Sequence, residues 1–291
     1  MVERLSSDFL ATCGDPVVVS SYIRSGTHLT IDFLRRNFPA FRSYKWPLEA
    51  NDSLYLPIDA LIARAWGPRR AHRVLRRAER VICKTHWCDP QFQNLADPQF
   101  SSLGQWLHDR AKVILIHRDP RRTIESVVVW RAFTGEFSRP EIPPGPWLSE
   151  RLHEWVNRIL AWQQTACPLL VISSDTLLKD AAGALERIAA FVDAVPEPQS
   201  PILPPQLRGS WHSRLNRVFA MRPQSSEILT IRPAPLVRWN DEQLALVEQI
   251  CGGLCRELGY PALENGYFEP KPVRTVRPVR SMISTSSQGE K

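Results

Sequence analysis

Val17-Val18-Val19-Ser20-Ser21-Tyr22-Ile23-Arg24-Ser25-Gly26-Thr27 decides how the rest of the chain is read. Val17 to Ser20 is a short β-branched run, the pattern of a buried strand. From Thr27 to Phe38 the spacing changes to that of a helix, with Leu29/Phe33 and Leu34/Phe38 as i,i+4 apolar pairs. A strand, a tight glycine-containing turn and a helix N-terminus make an anion site, because unbonded backbone N–H groups and the helix dipole point at one spot. Arg24 adds a fixed positive charge, and Ser25 and Thr27 add hydroxyl donors. The loop is not a Walker A loop, since G-x-x-x-x-G-K-[ST] is absent. An ordinary βα turn has the same local pattern.

Outward from this stretch, β-branched runs alternate with amphipathic helical stretches, which predicts an α/β fold with a central parallel sheet flanked by helices. A helical region is expected from about Pro57 to Arg80, interrupted at Gly67-Pro68. Val81 to Cys83 reads as a strand, residues 99–110 as a helix, and Lys112 to His117 as a central strand followed by helix from Arg121 to Phe133. Residues 134–147 hold four prolines and two glycines and read as a loop. Leu148 to Gln164 is helical, Leu169 to Ser173 a strand, and Ala181 to Val192 a helix. After the Pro196–Pro205 connection, Asn240 caps a last helix reaching about Leu258. One domain over 1–258 is expected, with a Pro/Arg/Ser-rich tail over 259–291 whose end, 281–291, reads as disordered.

Two further motifs carry chemistry. In Val113-Ile114-Leu115-Ile116-His117-Arg118, the arginine ends a strand on the edge where α/β sheets bind ligands. Ser126 follows eight residues later, about two turns down the next helix. An arginine at the strand end and a hydroxyl on the helix can grip one phosphate together. In Val81-Ile82-Cys83-Lys84-Thr85-His86, Lys84 and His86 share a side of an extended segment. Lys84 suits an anionic group in transfer, and His86 suits a general base. Metal binding by Cys83, His86 and Cys88 fits no standard zinc spacing, so no metal is expected. Cys251 and Cys255 stand i,i+4 on a helix as core residues, and all six cysteines are read as reduced thiols.

The 291 residues carry 37 Lys+Arg against 30 Asp+Glu, a net charge of +7 that favours anionic partners without choosing among them. Arg69, Arg70, Arg73, Arg76, Arg77 and Arg80 look like the polar face of one helix. The longest apolar runs are strand-sized and the N-terminus lacks a secretory pattern, so a cytoplasmic protein away from membranes is expected.

Taken in order, the three motifs resemble those of the PAPS-dependent sulfotransferase family, and the similarity runs from about residue 16 to 258. Ser21 to Thr27 resembles the loop that binds the donor's phosphosulfate, Arg118 to Ser126 the 3′-phosphate motif, and Lys84-Thr85-His86 the lysine and catalytic-base segment. Leu169 to Asp180, followed by the helix 181–192, looks like a later strand and helix of that fold. The resemblance implies a P-loop NTPase-like sulfotransferase fold and PAPS as donor, with PAP as product and no metal required. The acceptor would be a small molecule bearing a hydroxyl or amine. By the same resemblance, Arg24, Ser25, Gly26, Thr27 and His28 would hold the phosphosulfate, and Arg118 and Ser126 the 3′-phosphate. His86 would deprotonate the acceptor, while Lys84 and Arg24 stabilise the transferring group. Cytosolic members carry lysine at the position of Arg24, threonine at His28 and commonly tyrosine at Ser173, and their Arg-Lys-Gly motif is echoed only by Arg208-Gly209. Lys271, Thr275 and Val276 only loosely match the family's dimerisation motif, so a homodimer stays open.

Two other readings compete. A P-loop kinase or nucleotide-binding protein shares the sheet architecture but needs Mg²⁺ held by an acid at a strand end, where this chain offers His117 and Arg118. A non-catalytic polyanion-binding module rests on the arginine-rich segment; the chain shows no nucleic-acid motif, and none is expected as partner.

Overall fold

The structure, a computed structural model, describes residues 5–42, 55–87, 92–203 and 237–260. Five strands, β1 Val17–Ser21, β2 Tyr55–Pro57, β3 Ile82–Thr85, β4 Lys112–His117 and β5 Leu169–Ser173, form one sheet in the order β2-β3-β1-β4-β5. Every pairing is parallel. The helices are α1 Ser7–Ala11, α2 Thr27–Asn37, α3 Ile58–Ile62, α4 Pro68–Leu75, α5 Ser101–Arg110, α6 Pro120–Phe133, α7 Trp147–Gln163, α8 Ser174–Lys179, α9 Ala181–Val192 and α10 Asp241–Glu257. The expected α/β architecture, a central parallel sheet flanked by helices, is the one observed.

The period-2 alternation of the strands sorts two apolar layers onto the two faces of the sheet. Val17, Val19, Ile82, Ile114 and Ile116 face a layer built with Phe33 and Leu34 of α2, Leu177 of α8 and Ile188 of α9. Val18, Cys83, Val113 and Leu115 face the other, built with α5, α6, α7 and α10, where Trp106, Val127, Trp155 and Cys251 are buried. Burying a side chain of this size stabilises by about 1.5–3 kcal/mol, so the sheet's central position in both layers fixes the strand ends.

Several expectations shift at their edges. The region expected to be helical from about Pro57 holds α3 from Ile58 and, past the break at Gly67-Pro68, α4; the strand β2 that ends at Pro57 is the addition, and Pro57 is tolerated there because β2 is an edge strand. Helix α4 stops at Leu75, so Arg76, Arg77 and Arg80 do not extend its polar face. Arg80 is structural: its guanidinium donates to the carbonyls of Asp15 (3.0 Å) and Val192 (2.5 Å). Helices α1 and α8 were not anticipated. Asn240 caps α10 as expected, in a capping box with Gln243. Cys83, Cys167, Cys251 and Cys255 are buried free thiols. No helix among the described residues is long and apolar enough to cross a membrane. Cys88, Arg208, Gly209, Lys271, Thr275, Val276 and the tail from 261 lie outside the described residues.

Candidate active site

Chain direction places the site. From β1 the chain leaves across β3 to β2, whereas from β4 it leaves the other way to β5. Adjacent strands whose connections depart in opposite directions open a crevice beyond their carboxyl ends, the usual ligand position in parallel sheets. The register brings the three motifs level there: Ser20 pairs with Thr85, Ser21 with Ile116, and His117 with Ser173.

The β1–α2 loop is a left-handed turn, with Arg24 at φ 67° and Gly26 at φ 111°. Such turns gather successive N–H groups into an anion-binding concavity. Gly26 is required twice over, by its φ and because a Cβ there would stand 2.9 Å from the Cβ of Ser174. No side chain caps the N-terminus of α2, and no acidic residue sits in its first turn. Ser25 Oγ is buried without a hydrogen-bond partner among the described residues. An oxyanion seated in the loop would satisfy these groups together.

Arg24 leaves the loop toward α6. Its Nε donates to Ser126 Oγ at 3.3 Å, and its guanidinium lies over the Trp130 ring at 5.2 Å from the centroid. Burial first, and the neighbouring charge of Arg118 second, lower its pKa to about 10. Burial likewise lowers Arg118, opposed chiefly by Asp175, whose carboxylate also meets Arg122 at 3.5 Å. Two buried guanidiniums beside a serine hydroxyl are groups that a multiply charged anion would satisfy. Asp119 is committed elsewhere: it caps α6 through the N–H of Arg121 and pairs with that guanidinium at 2.6 Å. The acid next to the β4 end is therefore already taken up by helix and side chain.

His86 stands just past β3. Its Nδ1 is 2.9 Å from the carbonyl oxygen of Ser21 and 3.3 Å from Ser21 Oγ. A carbonyl only accepts, so Nδ1 carries the proton and Nε2 presents its lone pair. Ser21 Oγ in turn shares a 2.5 Å hydrogen bond with Thr27 Oγ1, which joins His86 to the β1–α2 loop. Burial, then the charge of Lys84, hold His86 well below the ordinary histidine value, with Arg158 and His28 adding to the effect and the bond to Ser21 opposing it. Lys84 lies with its ammonium 5.8 Å from the Tyr55 ring centroid, and His28 meets the same ring edge-on at 5.7 Å. His28 is pushed down to about 3 by burial, Lys84 and Arg24, so it stays a neutral imidazole.

The residues singled out by the three motifs converge at the strand ends, through contacts that the motifs themselves do not contain. Arg24 and Ser126, assigned to opposite ends of a donor, touch each other. Trp130, one helical turn beyond Ser126, has the spacing that marks it as a neighbour. Asp59, which binds Thr85 and His86, left no local signal. Ser173 caps α8 through the N–H of Thr176 (2.9 Å).

Three depressed histidines also affect stability. His86 is well below the usual value, His28 is near 3 and His117, buried against Tyr260 with 2.6 Å between Nδ1 and the phenol oxygen, is pushed down to about 4. Below about pH 6.5 the unfolded chain therefore binds protons that the folded chain refuses, so stability rises with pH through this window and is lost as pH falls. Each group contributes a slope of up to about 1.4 kcal/mol per pH unit. Urea titrations from pH 7 to 4.5 are expected to show that loss; a flat profile would contradict the buried neutral histidines.

Fold and site together define an α/β protein with a cation-lined crevice at its strand ends. No protein-family model and no curated protein matches the chain. Among solved structures it is similar to mouse sulfotransferase SULT7A1 complexed with PAP, at 17% identity over 88% of this chain and 90% of that one, with a TM-score of 0.47. Retinol dehydratase in a complex with retinol and PAP is similar at 16% identity over 87% and 86%, with a TM-score of 0.42. The sulfotransferase domain of the Synechococcus PCC 7002 olefin synthase is similar at 15% identity over 82% and 95%, with a TM-score of 0.35.

Proposed function

We propose that the chain transfers a sulfuryl group from PAPS to a hydroxyl or amine of a small-molecule acceptor. The observation that carries this reading is His86, locked by Ser21 in the tautomer that offers Nε2 as a base, at the mouth of an anion loop and beside Lys84. PAPS, when bound, supplies the sulfuryl group and the leaving phosphate. Ser25, Gly26, Thr27 and His28 hold its phosphosulfate end through loop N–H groups and hydroxyls; Ser25 Oγ, without a partner among the described residues, and the Gly26 cradle fit that role. Arg118 and Ser126 hold the 3′-phosphate. His86 takes the acceptor proton at Nε2, and Lys84 and Arg24 stabilise negative charge on the transferring group.

Arg24, as an arginine, keeps a positive charge and a two-pronged donor edge but gives up no proton at neutral pH. Its work is therefore electrostatic. His86, held neutral by burial and nearby cations, is ready as a base throughout the neutral range.

Calorimetric titration of the metal-free protein tests the reading directly. PAP is expected to bind with micromolar or tighter affinity, that is at about −8 kcal/mol or better. Absence of PAP binding together with Mg²⁺-dependent ATP binding would replace it with the kinase reading.

A further inference from the structure

We propose that Asp59 is the residue that positions His86, acting on the backbone while Ser21 acts on the ring; the catalytic meaning of this rests on the function proposed above. Strand β3 ends at Thr85, so the next N–H has no ladder partner and needs another acceptor. Asp59 supplies it. Its Oδ2 and Oδ1 accept from His86 N–H at 2.9 and 3.0 Å, and Oδ1 also accepts from Thr85 Oγ1 at 2.7 Å. Thr85 Oγ1 in turn accepts from the N–H of Trp87 at 3.0 Å. One carboxylate thereby fixes three successive residues.

Topology explains how Asp59 arrives there. β2 runs beside β3 with Pro57 level with Lys84, and Asp59 follows in the first turn of α3. β1 lies on the other side of β3 and contributes the Ser21 carbonyl. His86 is thus tied on both sides of β3, by its backbone to α3 just beyond β2 and by its ring to the end of β1. The cations that bear on the imidazole are Lys84 first and Arg158 after it. Asp59 acts through geometry rather than through its charge: it decides whether Nδ1 reaches Ser21 and hence which nitrogen is left as the base. This makes it a positioning residue.

The test pairs Asp59→Ala and Asp59→Asn with ¹⁵N NMR of histidine-labelled protein, turnover with PAPS, and PAP calorimetry. In the parent protein His86 is expected as the Nδ1–H tautomer. In Asp59→Ala that tautomer gives way to a mixture, turnover falls by about 10–100-fold as expected for a misplaced group, and PAP affinity is unchanged. Asp59→Asn keeps one oxygen acceptor for two donors and shows the same changes to a smaller degree. A folded Asp59→Ala with parental tautomer and turnover overturns the proposal. Should that variant not fold, a parental His86 spectrum in Asp59→Asn does so. Failure of the sulfuryl-transfer reading is seen separately, as absence of PAP binding in the parent, and leaves the tautomer result to judge Asp59 alone.

Discussion

Replacement of His86 by alanine is expected to lower turnover by roughly 10²–10⁴-fold, the usual contribution of a positioned general base, while PAP affinity stays unchanged. The split follows from the geometry. His86 meets the loop through Ser21 and presents Nε2 away from that contact, so its loss removes proton transfer from the acceptor without removing a phosphate ligand. Activity in the parent should stay level across neutral pH and decline on the acid side well below pH 6.5, because burial, Lys84, Arg158 and His28 all disfavour the imidazolium. Steady-state rates over pH 4.5–8 with calorimetry on the same variant check both parts. Full turnover in His86→Ala would remove this residue from the chemistry.

Replacement of Arg118 by alanine is expected to act on binding instead. A hydrogen bond to a charged group contributes about 1.5–3 kcal/mol, which corresponds to roughly 10–150-fold in PAP affinity. Affinity for 5′-AMP, which lacks the 3′-phosphate, should fall much less. Without a ligand the change removes a charge that lowers Arg24, and it also gives up the attraction of Asp175 that supports the Arg118 guanidinium. The variant should therefore stay folded, the two electrostatic changes opposing each other, while binding PAP more weakly. Equal losses for PAP and 5′-AMP would move Arg118 away from the 3′-phosphate.

What was legible in the chain was local. Val17–Ser21, Lys112–His117 and Ala181–Val192 are strong runs bounded by clear breaks, and each forms close to where its pattern starts and stops. The strand Tyr55–Pro57 was hidden because it is three residues long and includes a proline, which only its edge position permits. The arginines after Leu75 looked like a continuing helical face. Arg80 is instead drawn to the carbonyls of Asp15 and Val192, partners far away in sequence. The same division holds at the site. The loop, the strand-end arginine and the lysine–histidine pair are written as contiguous motifs. The Arg24–Ser126 contact, the Trp130 ring and the Asp59 carboxylate arise from strands brought side by side, which no short window contains.

The two apolar layers of the sheet carry different parts of the crevice. Helix α2, which begins at the anion loop, rests on one layer, whereas α6, which bears Ser126, rests on the other. The sheet sets α2 and α6 apart, and in the function proposed above its thickness would set the reach between the anion loop and the Arg118 end of the donor site. A substitution deep in either layer, far from any charged atom, would change that reach and register as poorer donor recognition rather than as a damaged catalytic group. Conversely, a donor long enough to touch both grips would rivet one layer to the other.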